Sequence, residues 1–183
     1  DCLCTKGCGE NYGVPPYPPV EDFLVERCVL WTDRANVWRL GCESRASVMR
    51  RLVFRDLDVI HYPNPTNPVF RIQPMAEMVM EDVRFENIRI HHEGQRQFLR
   101  LDVHPSHDNP TYTPGILRNV VFKDIFLTGR ADGHLGEIVL NGADDPHPIT
   151  NVLFDNVVRH GQKLQADSPE IECSGNAKNI EFR

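Results

Sequence analysis

The sequence predicts an all-β chain wound as a right-handed parallel β-helix of about five to six coils, and three observations carry that prediction. A short pattern recurs five times, each copy alternates apolar and polar residues around a Phe, and no segment shows the three- and four-residue apolar spacing of a helix. The copies are Leu52 to Val59, Val83 to Ile90, Val120 to Leu127, Val152 to Val157 and a truncated Ile180 to Phe182. Their phenylalanines, Phe54, Phe85, Phe122, Phe154 and Phe182, lie 31, 37, 32 and 28 residues apart, the period of a chain that stacks on itself.

In chain order, Asp1 to Thr5 reads as part of a strand, and Val25 to Cys28 fits as a degenerate first copy 29 residues before Phe54. Within each full copy the alternation stops at Asp56, Asn87, Asp124 or Asn156 and then resumes, which reads as two strands joined by a corner. Asp and Asn tolerate left-handed backbone angles better than other residues with side chains, so the corner has a physical cause. A third strand falls between copies, at Val37 to Leu40, Val69 to Ile72, Phe98 to Leu101, Ile138 to Leu140 and Ile171 to Cys173. Its inward residues are Trp38 and Leu40, Phe70 and Ile72, Leu99 and Leu101, Ile138 and Leu140, then Ile171 and Cys173, stacked at the strand spacing of about 4.8 Å. Segments 9–20, 62–68 and 104–115 differ from coil to coil and are loops, the usual place for a binding face on a regular scaffold.

The chain has 183 residues, 40% of them hydrophobic, enough for one domain with a continuous core. Twenty basic against 26 acidic side chains give a formal charge of −6, which excludes a basic footprint for nucleic acid. No apolar run approaches the ~20 residues that cross a bilayer. Residues 1–183 are expected to form a single β-helix segment cut from a longer solenoid, because both ends fall within strand-like sequence.

Cys2, Cys4, Cys8, Cys28, Cys42 and Cys173 leave two readings open. Cys2 and Cys4 pack as small core residues like Cys173, with Cys8 free to pair with Cys28 or Cys42, or the Cys-x-Cys-x3-Cys cluster holds a metal. No His or Cys cluster completes a metal set, and His104, His107 and Asp108 sit in a Pro-rich loop without rigid spacing, so neither a metal nor another cofactor is expected. Asp144-Asp145-Pro146-His147 reads as a turn, bracketed by Gly142 and Pro146.

The outward residues of the third-strand row read Arg39, Arg71, Arg100, Asn141 and Glu172. Three stacked arginines, with Glu43 and Asp102 close enough to pair with them, form either a solvated charge ladder or a ligand groove. Trp31, at a strand end, suits either core packing or stacking on a sugar ring.

The stretch Asp1-Cys2-Leu3-Cys4-Thr5 resembles the Asp-Asp-Cys-Ile-Ala stretch of glycoside hydrolase family 28, the polygalacturonases, with Asp1 as its second aspartate. Leu40-Gly41-Cys42 resembles the Ile-Gly-Ser that ends that family's Gly-His-Gly-Leu-Ser-Ile-Gly-Ser motif, and Val69-Phe70-Arg71-Ile72-Gln73 resembles its Arg-Ile-Lys motif one coil later. Val25 to Trp31, Leu40 to Arg45 and Asp58 to His61 are similar to family 49 dextranases. Asn36 stands where the first family has His, and Gln73 where it has Lys, which points away from galacturonate toward a neutral or differently charged sugar.

The resemblance implies a secreted or periplasmic glycoside hydrolase of pectate-lyase-like fold acting on a polysaccharide or oligosaccharide, with aspartates as acid and base in an inverting reaction. Asp1 would be one catalytic group, on the base side, with partners upstream; Asp33, in the turn before the third strand, is the internal alternative, and a turn Asp bonding its own backbone is its simpler reading. Asn36, Arg39, Glu43, His61, Arg71, Gln73, Arg100 and Asp102 would line the substrate groove. A noncatalytic glycan-binding β-helix is the competing reading, and a polysaccharide lyase the third, although the groove holds few carboxylates for the calcium a lyase uses.

Overall fold

Alternating apolar residues commit this chain to strands, and its left-handed Asp and Asn residues decide where the strands bend. The computed structural model describes residues 1–8, 16–93, 96–104, 113–130 and 134–183. In chain order the strands are β1 (Leu3–Thr5), β2 (Val20–Glu26), β3 (Val29–Trp31), β4 (Trp38–Leu40), β5 (Val48–His61), β6 (Phe70–Ile72) and β7 (Val79–Glu93). They continue with β8 (Gln97–Asp102), β9 (Ile116–Arg130), β10 (Glu137–Asn141), β11 (Ile149–Arg159), β12 (Gln162–Lys163), β13 (Ile171–Cys173) and β14 (Ala177–Phe182). The protein is all-β and winds as a right-handed parallel β-helix of about 5 turns.

Two sheets run along the helix. Short strands β1-β4-β6-β8-β10-β13 form one, parallel throughout. The other carries the repeat copies, β2-β5-β7-β9-β11 with β14 added on β11, while β3 pairs with the second half of β5 and β12 turns back antiparallel on β11.

The expected corners are present: Asp56, Asn87, Asp124 and Asn156 have φ of 55, 52, 54 and 56°. Each long strand also bends a second time, five residues earlier, at Arg51, Asp82, Asn119 and Asn151, with φ of 58, 55, 58 and 58°. A coil therefore has four straight segments where alternation alone suggested three. The second corner is written in the same residue types, with Arg51 the exception, and Arg51 donates to both Asp22 carboxylate oxygens at 2.6 and 3.0 Å. Corner amides bond from coil to coil: Asn119 Nδ2 donates to Asp82 Oδ1 at 3.1 Å, Asn151 to Asn119 at 3.0 Å and Asn179 to Asn151 at 3.1 Å.

The repeat phenylalanines stand in one register, Val25–Phe54–Phe85–Phe122–Phe154–Phe182. Their rings stack with centroids 5.1, 4.9, 5.3 and 5.1 Å apart, and Trp38 stacks on Phe70 at 4.5 Å. Such pairs contribute about 0.5–1.5 kcal/mol each beyond burial. The predicted inward residues from Trp38 through Leu140 are fully buried. Ile171 is half-buried and Cys173 exposed, because β13 closes its row and has a stacked neighbour on one side only.

Two measurements check this construction. Phe85→Ala is expected to lower unfolding free energy by about 3–5 kcal/mol in urea denaturation. Asn87→Val should cost about 1–2 kcal/mol more than Asn87→Gly, since both lose the amide bond to Asp56 and only the branched residue resists a left-handed backbone.

Candidate functional site

Register brings the site together on the outer face of the short-strand sheet. Pairing aligns Cys4, Arg39, Arg71, Arg100, Val139 and Glu172 across the six strands. The row thus runs through Val139 where the sequence suggested Asn141, and Asn141 aligns instead with Asp102. Neighbouring strands are about 4.8 Å apart, so the three guanidinium groups crowd one another.

Each arginine is held differently. Arg39 donates to Cys42 Sγ at 2.8 Å and lies 3.6 Å from Glu43, which also meets Lys6 at 3.7 Å. Arg100 donates to Asp102 Oδ2 at 3.1 Å, and Asp102 is buried, its other oxygen accepting from the His104 backbone at 3.1 Å and from Asn141 at 3.3 Å. Among the described residues Arg71 bonds only to the neutral Gln73, Nε to Oε1 at 3.3 Å, and no carboxylate there pairs with it. Burial first, then the charge of Arg39, press Arg71 below the ordinary arginine pKa; Cys42 opposes them, and the weaker effects of Arg100 downward and Asp102 upward follow.

The long-strand sheet shows how this chain builds a solvated charge ladder. There the register Glu21–Arg50–Glu81–Arg118 alternates in sign, with Arg50 Nε 2.5 Å from Glu21 and Arg118 Nη2 2.5 Å from Glu81. Glu26–Arg55–Glu86–Lys123 alternates as well. A row of three like charges, on the outer face of the short-strand sheet, departs from that rule.

Asp1 stands at the head of the row, its carboxylate accepting from the Asn36 backbone at 3.0 Å and from Cys4 Sγ at 3.4 Å. Asn36 itself is fully buried, donating to the Pro68 carbonyl at 2.7 Å while its Oδ1 has no partner. Gln73 is buried too and donates to the His104 carbonyl at 2.9 Å. Asn36, Gln73 and Asp102 therefore support the face from beneath, and Arg39, Arg71 and Arg100 present it.

Asp33 and His61 form a separate cluster where β3 and β5 end. His61 Nε2 lies 3.1 Å from Asp33 Oδ1, the Trp31 indole N–H donates to the same oxygen at 3.3 Å, and the Trp31 ring stacks on His61 with centroids 4.2 Å apart. Trp31 is 60% exposed, so core packing does not account for it. All six cysteines are free thiols; Cys4 and Cys173 are exposed rather than in the core, and Cys42 is buried against Arg39. His107 and Asp108 lie outside the described residues.

Sequence reasoning saw Asp144 to His147 as a turn, which it is, His147 N donating to Asp144 O at 3.1 Å. It missed that His147 also clasps two coils, Nδ1 at 2.7 Å from Asp144 and Nε2 at 3.4 Å from Glu77, because a partner 70 residues away leaves no local signal. Burial lowers the His147 pKa, but the bonds to Asp144 and Glu77 outweigh it and the net shift is upward.

Compared with known proteins, the chain matches no family model, no curated protein and no solved structure.

Arg71→Met is expected to keep or raise the melting temperature, since it relieves like-charge repulsion, whereas Glu81→Gln should lower it by breaking an alternating ladder. The His147 ring should titrate above 6.5 in an NMR pH series. With its folded pKa above the unfolded one, its protonation supports the fold below pH ~6.5 and that support fades as pH rises through the folded value; Glu77→Gln should bring the midpoint down.

Proposed function

We propose that the protein acts on a polysaccharide or oligosaccharide laid across the outer face of the short-strand sheet. A parallel β-helix is compatible with polysaccharide-acting proteins. The observation that carries the reading is Arg71, set between two like charges with no carboxylate bonded to it among the described residues. A guanidinium without an ion partner among the described residues is suited to a carboxylate or sulfate group on a sugar, so an acidic glycan fits this face better than the neutral sugar that Gln73 in place of Lys suggested. Net negative charge elsewhere disfavours nucleic acid as the polyanion. Such a substrate goes with a secreted or periplasmic protein.

Glycoside hydrolysis is the reaction that goes with this face, and Asp1 is the group to carry the base step. An inverting mechanism needs a carboxylate that activates water and a carboxylic acid that protonates the leaving oxygen, about 6.5–9.5 Å apart. Asp1 sits at the head of the arginine row, its carboxylate accepting two hydrogen bonds. The second group is not evident among the described residues: Glu43 pairs with Lys6 and Arg39, Asp102 with Arg100, and Asp33 with His61. That commitment of the acids favours a second reading, in which the face binds a glycan without cleaving it.

One set of assays separates these outcomes. Acidic oligosaccharides are expected to bind the wild-type chain, with Arg71→Ala losing about 1.5–3 kcal/mol of affinity, the range for a hydrogen bond to a charged group. Hydrolysis products that vanish in Asp1→Asn while binding persists support the hydrolase; binding without turnover supports the noncatalytic reading. Failure of every acidic glycan to bind removes both.

A further inference from the structure

A pocket of about 180 Å³ opens at the start of β8, β10 and β13, lined by Arg96, His134, Leu135, Gly136, Glu137 and Glu170. Its frame is built. Glu137 N donates to the Arg96 carbonyl at 2.7 Å and Ile138 N to the Glu170 carbonyl at 3.0 Å, so three successive coils are tied at this point. Beneath it lies Arg159, 1% exposed, donating through Nη1 to the carbonyls of Leu135 and Gly136 at 3.1 and 3.0 Å and through Nη2 to Glu170 Oε2 at 3.2 Å. Its Nε is buried without a partner. Gly136, at φ 84°, brings the pocket wall so close to Phe98 that an added Cβ would sit 2.8 Å from the Phe98 Cβ.

The side chains that face this space are not spent on one another. Among the described residues Glu170 has its ion pair with Arg159, while the Arg96, His134 and Glu137 side chains form no hydrogen bond or ion pair. Donors and acceptors therefore converge with the charges roughly balanced, unlike the arginine row. That combination selects a ligand rich in hydroxyl groups over one with a net charge, and the volume, below the ~300 Å³ of drug-sized sites, suits a single ring. Glu137 is two residues before Val139 on β10, hence on the same outer face as the arginines, and β10 lies two strand spacings, about 10 Å, from the strand of Arg71.

We infer that this pocket is a second saccharide subsite, which takes a neutral, hydroxylated sugar ring of the glycan whose acidic group meets Arg71. The inference rests on the glycan-binding reading of the face and adds to it the ring chemistry at its far end. Glu137 and Glu170 accept from adjacent hydroxyls, and Arg96 and His134 donate to the ring's oxygens.

Amide NMR titration of the full chain, with hexasaccharides bearing one uronic acid on a neutral backbone, tests it. Shifts at both Arg71 and Gly136–Glu137, with Glu137→Gln weakening the hexasaccharide about tenfold and leaving the isolated uronic acid unaffected, are the expected result. Shifts confined to the arginine row overturn the subsite and leave the proposed function standing; shifts nowhere remove both. Shifts at the pocket alone would keep it as a sugar site and remove the arginine reading. Saturable shifts of Glu137 and Glu170 with calcium chloride alone would make it a cation site and overturn the inference.

Discussion

Everything in this molecule depends on parallel, in-register stacking of one coil on the next. A residue's closest neighbours across the sheet are its equivalents above and below, so each row is a column of like positions. For apolar residues this is favourable, as the phenylalanine column from Phe54 to Phe182 shows. For the corner amides it is favourable too, since an amide can both donate and accept, and Asn119, Asn151 and Asn179 bond in series. For charges it is favourable only when signs alternate.

The same constraint gives the arginine face its meaning. On the long-strand sheet Glu21, Arg50, Glu81 and Arg118 obey the alternation. On the short-strand sheet Arg39, Arg71 and Arg100 break it, and the fold compensates at the two flanks, through Cys42 with Glu43 and through Asp102. The middle position is left with an amide partner. Local rules that a sequence breaks without internal compensation are where function is expected, because an external partner then supplies what is missing. The pocket at Glu137 extends this principle along the face: a polar frame completed by Arg159 and Glu170 holds Arg96, His134 and Glu137, whose side chains have no hydrogen bond or ion pair among the described residues.

The fold was legible because its signals are periodic. Phe spacing, strand alternation and corner residues all repeat, and the arginine register followed from counting residues within the copies. The second corner is written in Asp22, Asp82, Asn119, Asn151 and Asn179, but Arg51 interrupts the pattern and hides its period. The site was half legible. Which side chains share a row is a matter of register, whereas Asn36 and Gln73 are polar residues whose burial depends on loops that differ in every coil. The His147 clasp and the Arg159 frame join residues far apart in sequence through such loops, so no periodicity announces them.

The most direct measurement is a crystal structure of the chain with a bound acidic oligosaccharide. The account predicts the sugar's acidic group on the Arg71 guanidinium, flanked by Arg39 and Arg100 on consecutive strands. Arginines that face different directions, or an Arg71 already paired with a carboxylate of its own chain and no sugar bound on that face, would contradict it.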